Sequence, residues 1–262
     1  MTTSNTALRL WALDAPTMDL DAGDLVVGAE GKITFPLPAF LIEHSKGLIL
    51  WDTSFAPILN DDPRAYFGDL ADTLNIVTSP EQRIDRQLGK LGFRTEDVTH
   101  VVLSHTHSDH AGGLYLFPQA KFFAGPGEFD WAANPSAAQQ HLMRNEDIEP
   151  VRGFDWTTVN TPEHDLLGDG SMRIVHTPGH TPGELSCLVR LPSQSILLTG
   201  DTVHLREALD REAPDPHDWD AEVGRHSIQT VKQLRDTEQA RVWIAHDPED
   251  WAEFGGALVA QE

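Results

Sequence analysis

The run Ser104-His105-Thr106-His107-Ser108-Asp109-His110 places four side chains able to ligate a metal within six residues, directly behind the apolar stretch Val98–Leu103. Imidazole nitrogen and carboxylate oxygen suit zinc, cobalt, manganese or iron. In an extended loop, residues two apart project to the same side, so His105 and His107 can reach one ion. Asp109 and His110 lie further along the turn and can reach a second. Three later segments fit the same plan. Thr177-Pro178-Gly179-His180-Thr181-Pro182-Gly183 presents His180 on a rigid turn. Leu197-Leu198-Thr199-Gly200-Asp201 ends an apolar stretch on a carboxylate, and Ile244-Ala245-His246-Asp247 ends another on a histidine. A single histidine after a strand is more often a hydrogen-bonded loop residue than a ligand. The dense run, joined by three further strand-end donors, turns the balance toward metal. Asp201 has two oxygens and can bridge two ions.

Such donors need a rigid frame. Residues 36–43 and 48–52 are β-rich and joined by Ser45-Lys46-Gly47, which predicts a hairpin. A helix is expected over 80–91: Ser79 caps it, Pro80 suits its first turn, and Gln82 completes a capping box. Ile84, Leu88 and Leu91 form its stripe and Gly92 stops it. Strands are expected at 98–103, 121–124, 172–176, 184–191, 195–199 and 242–245, with helices from Ala111 and over 221–236. Gly112 and Gly113 are expected to let the chain bend sharply behind the metal run. Strands followed by strand-plus-helix units, in similar order in both halves, imply two sheets face to face with helices outside.

The chain, 1–262, is expected to form one domain. Residues 134–170 are polar, weakly periodic and carry Pro135, Pro150 and Pro162. They read as an insertion near the site, a substrate-facing lid, with a surface excursion as the equal alternative. Residues 15–32 read as a second flap, whose Met18, Leu20, Leu25 and Val26 show no clear partner pattern.

At 40% hydrophobic residues the chain can bury a sizeable core. A formal charge of −22 argues against nucleic acid or anionic lipid as partner. No apolar run approaches the ~18 residues of a membrane span, and Met1-Thr2-Thr3-Ser4-Asn5 shows no secretory signal. The single cysteine, Cys187, reads as a buried strand residue and fits a reducing cytoplasm.

The HxHxDH run with separated His180, Asp201 and His246 resembles the metallo-β-lactamase superfamily, over about residues 35–250. The resemblance implies a four-layer αββα sandwich. It also implies His105, His107 and His180 on one ion, Asp109, His110 and His246 on the other, and Asp201 between them. Asp52 would hydrogen-bond a ligand histidine. Within the superfamily, Phe35-Pro36-Leu37-Pro38-Ala39-Phe40-Leu41-Ile42, Trp51-Asp52-Thr53, Gly200-Asp201-Thr202-Val203-His204, Asp215-Pro216-His217-Asp218 and Ala245-His246-Asp247 resemble the N-acyl-homoserine lactone lactonases. Two divalent ions, zinc first with cobalt, manganese or iron as alternatives, are the implied cofactors. A small-molecule lactone is the implied partner, and a homodimer is in keeping with the family.

Two bridged ions can share a water and lower its pKa until hydroxide exists near neutral pH. That hydroxide would open an ester-like bond, with Asp109 passing a proton to the departing alkoxide. The lactonases commonly carry a tyrosine three residues after the bridging aspartate. Here that position is His204, read as its catalytic substitute, with a packing role as the even alternative. Ser108 stands where some lactonases place a large apolar residue. His141, His164, His176, His217 and His226 read as surface or outer groups, with His176 able to orient the His180 turn. Trp11, Phe40, Phe117, Trp131, Trp156 and Trp219 read as mostly core by default, with the lining of an acyl pocket as the alternative for one or two of them.

Other ester, lactone or phosphotriester hydrolases of the same fold are the first alternative. A glyoxalase II-type thioesterase is disfavoured by the lack of a C-terminal basic cluster. A β-lactamase is disfavoured by Asp201 standing where those enzymes commonly carry cysteine. A non-catalytic metal-binding protein is the alternative from another class, and the complete ligand set weighs against it.

Overall fold

Strands buried on both faces organise the molecule, seen in a computed structural model that describes residues 6–137 and 139–262. The stretch Met1–Asn5, read above for a leader, lies outside the described residues. One sheet has six strands in the order Arg9–Ala12, Phe40–His44, Gly47–Trp51, Val98–Val102, Lys121–Ala124 and Trp156–Thr158. The other has five, in the order Arg241–Trp243, Ser195–Leu198, Leu185–Arg190, Met172–His176 and Glu163–Asp165. Thr17–Asp21 and Lys32–Pro36 form a separate antiparallel pair.

Alternation along the strands explains the layers. Leu185, Cys187 and Val189 point between the sheets, where they meet Ile42, Ile49 and Trp51. Leu188 and Leu197 point outward onto Ile228 and Val231 of the helix Ala221–Glu238. On the first sheet, Leu41, Leu50 and Val101 point outward onto Ile84 and Leu88 of the helix Ile84–Lys90. The order is helix, sheet, sheet, helix: the expected αββα sandwich. Each buried aliphatic side chain contributes ~1.5–3 kcal/mol, so neither sheet can leave either face in water.

Topology gathers the polar strand ends. Gly47–Trp51, Val98–Val102 and Lys121–Ala124 run parallel. Met172–His176 and Ser195–Leu198 are both antiparallel to Leu185–Arg190, so they share a direction, and Arg241–Trp243 runs parallel to Ser195–Leu198. The loops carrying Asp52, His105 to His110, His180, Asp201 and His246 all follow the C-terminal ends of these strands.

Several local expectations need correction. The 80–91 helix is broken into a 3₁₀ turn, Pro80–Gln82, and the helix Ile84–Lys90, because Arg83 adopts ψ 133°. The Ser79 N–H still donates to Gln82 Oε1 at 2.9 Å, as the capping box requires. The helix expected from Ala111 is instead one turn, Ser108–Ala111, which includes Asp109 and His110. Gly112 and Gly113 do turn the chain, with φ, ψ of −62°, −28° and −92°, 0°, but these are type I turn angles that any residue can adopt. They are needed for closeness: a Cβ at Gly112 would lie 2.2 Å from the Ala56 nitrogen, and one at Gly113 2.5 Å from the Thr53 carbonyl oxygen.

The 15–32 segment does have partners. Its strand Thr17–Asp21 pairs with Lys32–Pro36, and Met18, Leu25 and Val26 join a buried cluster with Phe35, Phe55 and Leu74. The 134–170 stretch divides: Trp156–Thr158 and Glu163–Asp165 extend the two sheets at their edges, and among its described residues only His141 and Leu142 reach the cavity described below. Of the aromatics read as core, Trp11, Phe40 and Phe117 are buried, Trp131 and Trp156 are half-buried, and Trp219 is 49% exposed.

Candidate metal centre

Asp201 lies at the middle of the strand-end loops, and its two oxygens face different groups. Its Oδ2 is 3.6 Å from His105 Nε2 and 3.7 Å from His180 Nε2. His107 Nδ1 lies 3.1 Å from that same His180 nitrogen. Its Oδ1 is 3.1 Å from His246 Nε2 and 3.4 Å from His110 Nε2, and Asp109 Oδ2 is 3.3 Å from His110 Nε2. Donors held 2.0–2.1 Å from a tetrahedral ion stand about 3.3–3.4 Å apart. The observed separations match that spacing. His105, His107, His180 and Asp201 could thus hold one divalent ion, and Asp109, His110 and His246 another.

The chemistry of the donors agrees. His105 Nε2, His110 Nε2 and Asp201 Oδ1 are buried and lack a hydrogen-bond partner among the described residues. Such groups carry a desolvation cost unless something binds them. Burial pushes the His105 and His107 imidazoles well below their usual value, which leaves them neutral with lone pairs available. Burial opposes ionisation of Asp109, yet His110 and His246 hold its carboxyl at about 2, so it is a carboxylate. Burial likewise opposes protonation of His110, but Asp109, Asp201 and Asp52 prevail and hold it well above its usual value. The cluster asks for positive charge.

Outer partners aim the rings. His110 Nδ1 donates to Asp52 Oδ2 at 2.9 Å. His246 Nδ1 donates to the Pro36 carbonyl at 2.8 Å. His105 Nδ1 lies 3.2 Å from Glu184 Oε2, and Glu184 Oε1 accepts from the Asp201 N–H at 3.0 Å. His180 Nδ1 lies 3.4 Å from Asp218 Oδ1. These contacts fix which nitrogen of His105, His110, His180 and His246 faces the cluster. His176 Nε2 bonds the Pro182 carbonyl at 3.0 Å, which braces the His180 turn.

His204 Nε2 lies 3.2 Å from Asp201 Oδ2 and 3.4 Å from Asp215 Oδ2, and with His180 and Asp215 it forms a third group of donors beside the two sets. A cavity of about 260 Å³ opens onto the cluster. Met18, Leu25, Phe35, Leu37, Phe55 and Phe67 give it an apolar wall, and Asp109, Ser108, His204 and Asp215 line its polar end. His141 and His217, expected as outer groups, line it too. No lysine or arginine is among the described residues lining it.

Glu128, Glu184 and Asp218 escaped the sequence reading as site residues. Glu184 follows immediately after the Thr177–Gly183 turn, and Glu128 follows Ala124-Gly125-Pro126-Gly127 at a strand end, so position alone was the available signal.

An αββα sandwich with two sets of histidine and carboxylate donors at its strand ends has the form of a metallo-hydrolase. The chain belongs to the metallo-β-lactamase superfamily, whose family model matches residues 35–240. It is 32% identical to the N-acyl homoserine lactonase AttM of Agrobacterium fabrum, over 95% of this chain and 97% of that one. It is 31% identical to a probable metallo-hydrolase of Mycobacterium tuberculosis, over 80% of this chain and 70% of that one. It also superimposes, with a TM-score of 0.84, on an N-acyl homoserine lactone hydrolase solved with N-hexanoyl-L-homoserine at its catalytic metal centre; 98% of this chain and 100% of that one are covered, at 22% identity. The superposition bears on the fold.

Proposed function

We propose that this protein is a dinuclear-metal lactonase that opens N-acyl homoserine lactones. The carrying observation is the split allegiance of Asp201, one oxygen on each donor set, at the end of an apolar cavity. Its likeness to AttM over nearly the whole length of both chains supports the substrate class.

His105, His107, His180 and Asp201 would hold one ion, with Asp109, His110, His246 and Asp201 on the other. Two divalent ions there supply Lewis acidity and a nucleophile from water at neutral pH, and zinc suits these donors best. Asp109 stands at the cavity wall, ionised, where it can take a proton and pass it to the ring oxygen as the ring opens. His204 directs Nε2 toward the cavity's polar end and can donate a hydrogen bond to the lactone carbonyl. The apolar wall takes the acyl chain and excludes water. A lining without lysine or arginine suits a neutral amide-lactone and gives no grip to phosphates or glutathione carboxylates. His141 and Leu142, from the 134–170 stretch, line the cavity and would cover part of the acyl chain.

The chain has a lone cysteine, buried between the sheets, which supports a cytoplasmic location. No helix among the described residues is long and apolar enough to cross a membrane.

Metal analysis coupled to a proton-release assay on short- and long-chain homoserine lactones tests the reading. Zinc-loaded protein should release one proton per ring and chelated protein none. Failure to open any homoserine lactone with any of the four metals supplied would remove the assignment.

A further inference from the structure

Glu128 opens the short helix Glu128–Ala132, just after the strand Lys121–Ala124, and is 1% exposed. Its carboxylate has no cationic side chain within ion-pair reach among the described residues. It is held by four donors instead. Oε1 accepts from the Thr106 N–H and from Thr106 Oγ1, both at 2.7 Å. Oε2 accepts from Thr181 Oγ1 at 2.7 Å and from the Gly183 N–H at 3.1 Å.

The two oxygens therefore serve different loops. Thr106 sits between His105 and His107, and Thr181 follows His180. Each oxygen receives one N–H and one O–H, so both must be acceptors. A carboxylate meets that demand; an amide, with one acceptor oxygen and an NH₂, does not. The loops are also seated without slack. A Cβ at Gly183 would lie 2.6 Å from Glu128 Cβ, and one at Gly125 would lie 1.8 Å from the Gly183 carbonyl oxygen. A buried carboxylate is a costly way to join two turns that neutral groups could join. What it secures is the spacing of His107 Nδ1 and His180 Nε2, now 3.1 Å.

We propose that Glu128 is a positioning residue for the first donor set: it locks the His105–His107 loop to the His180 turn and so sets the affinity of that site without touching the ion. The inference rests on the proposed metal centre. A residue that merely held the fold together would lower stability without favouring one site over the other.

The test is zinc binding by E128Q and T181V, titrated in metal buffers of fixed free zinc, with thermal unfolding of the chelated proteins as the control for folding. The wild type should bind two ions. E128Q should bind one normally and need about 10-fold or more free zinc for the other, the scale of outer-contact losses at metal sites. T181V, which removes a single hydroxyl donor, should shift the same step by less. A second background assigns the step. H246A, with the second set broken, should hold one ion, and H246A/E128Q should hold it about 10-fold more weakly. Two ions bound by E128Q at wild-type free zinc, or equal weakening of both, would overturn the inference while leaving the metal centre intact. Should E128Q fail to fold, an unchanged titration in T181V overturns it. A wild-type protein that binds no zinc would refute the centre itself, and this inference with it.

Discussion

Asp52 and His110 are joined by a hydrogen bond of 2.9 Å across 58 residues of sequence. The bond turns His110 so that its other nitrogen faces Asp109 and Asp201. Asp52 also accepts from the Ser104 N–H at 2.7 Å and from Ser104 Oγ at 2.9 Å, so it ties the loop to the neighbouring strand. It does this from a left-handed backbone, φ +60°, which a non-glycine residue adopts at a cost. Replacing Asp52 by Ala should therefore weaken zinc retention about 10- to 100-fold, with the loss concentrated in the site containing His110. Competition against a chromogenic chelator reads this directly. Wild-type retention in D52A would show that His110 needs no outer partner.

The second prediction concerns His204. Its nitrogen sits 3.2 Å from Asp201, outside the two donor sets that meet at Asp201, although with His180 and Asp215 it forms a third group of donors close enough to share an ion. H204A should keep two ions per chain and lose about 100- to 1,000-fold in kcat, the scale of a lost hydrogen-bond donor to a developing oxyanion. H204Y should recover part of the loss, because a phenol can donate from a similar place. Unchanged turnover in both variants would leave His204 as packing alone. Loss of an ion in H204A would make it a ligand.

The donor residues were legible because each stands at a strand end, and strand ends are read from where an apolar run stops. The αββα layering was legible from those same runs: Leu185–Arg190 and Ser195–Leu198 are mostly apolar and are buried on both faces, as strands covered on both sides are. Glu128 and Glu184 were not legible. Glu128 accepts from backbone N–H groups and hydroxyls of distant turns, Glu184 accepts from the Asp201 N–H and faces His105 Nδ1, and such partnerships leave no spacing in sequence. The strands Trp156–Thr158 and Glu163–Asp165 are three-residue edge strands with polar exposed faces, so they lack alternation. The pairing of Thr17–Asp21 with Lys32–Pro36 was hidden because its apolar residues pack on Phe55 and Leu74, far along the chain.

The third prediction concerns the cavity wall. Met18, on the strand Thr17–Asp21, and Leu142 line the cavity from segments remote from each other in sequence. L142A should raise KM for a long-chain lactone and leave that of a short-chain one nearly unchanged. A few methylene contacts are worth ~1–3 kcal/mol, or about 10- to 200-fold in kcat/KM. M18A should act in the same direction. Equal losses on short and long chains would mean that the acyl chain lies elsewhere.

The fourth prediction is a pH dependence away from the metal centre. Asp147 lies on the helical turn Asn145–Ile148, beside the turn Ser108–Ala111 that carries Asp109. It accepts a hydrogen bond from the buried Tyr66 hydroxyl, and Arg144 lies 3.5 Å away with its guanidinium 3.9 Å over the Tyr66 ring. Burial dominates: with help from Glu146, it raises the Asp147 carboxyl to about 6 although Tyr66 and Arg144 pull it down. The folded protein thus holds this proton more tightly than the unfolded chain, where the value is near 3.8. Stability from the protonated form is fully present below that lower value and is lost as pH rises through about 6. The shift corresponds to at most ~3 kcal/mol. D147N keeps an acceptor for Tyr66 and has no proton to lose. The stability difference, D147N minus wild type, should therefore climb between about pH 4 and pH 6.5 and flatten above. Urea unfolding of both proteins in chelator, so that metal loss does not enter, reads it at each pH. A difference that stays constant across that range would show that Asp147 ionises in the folded protein as it does in water.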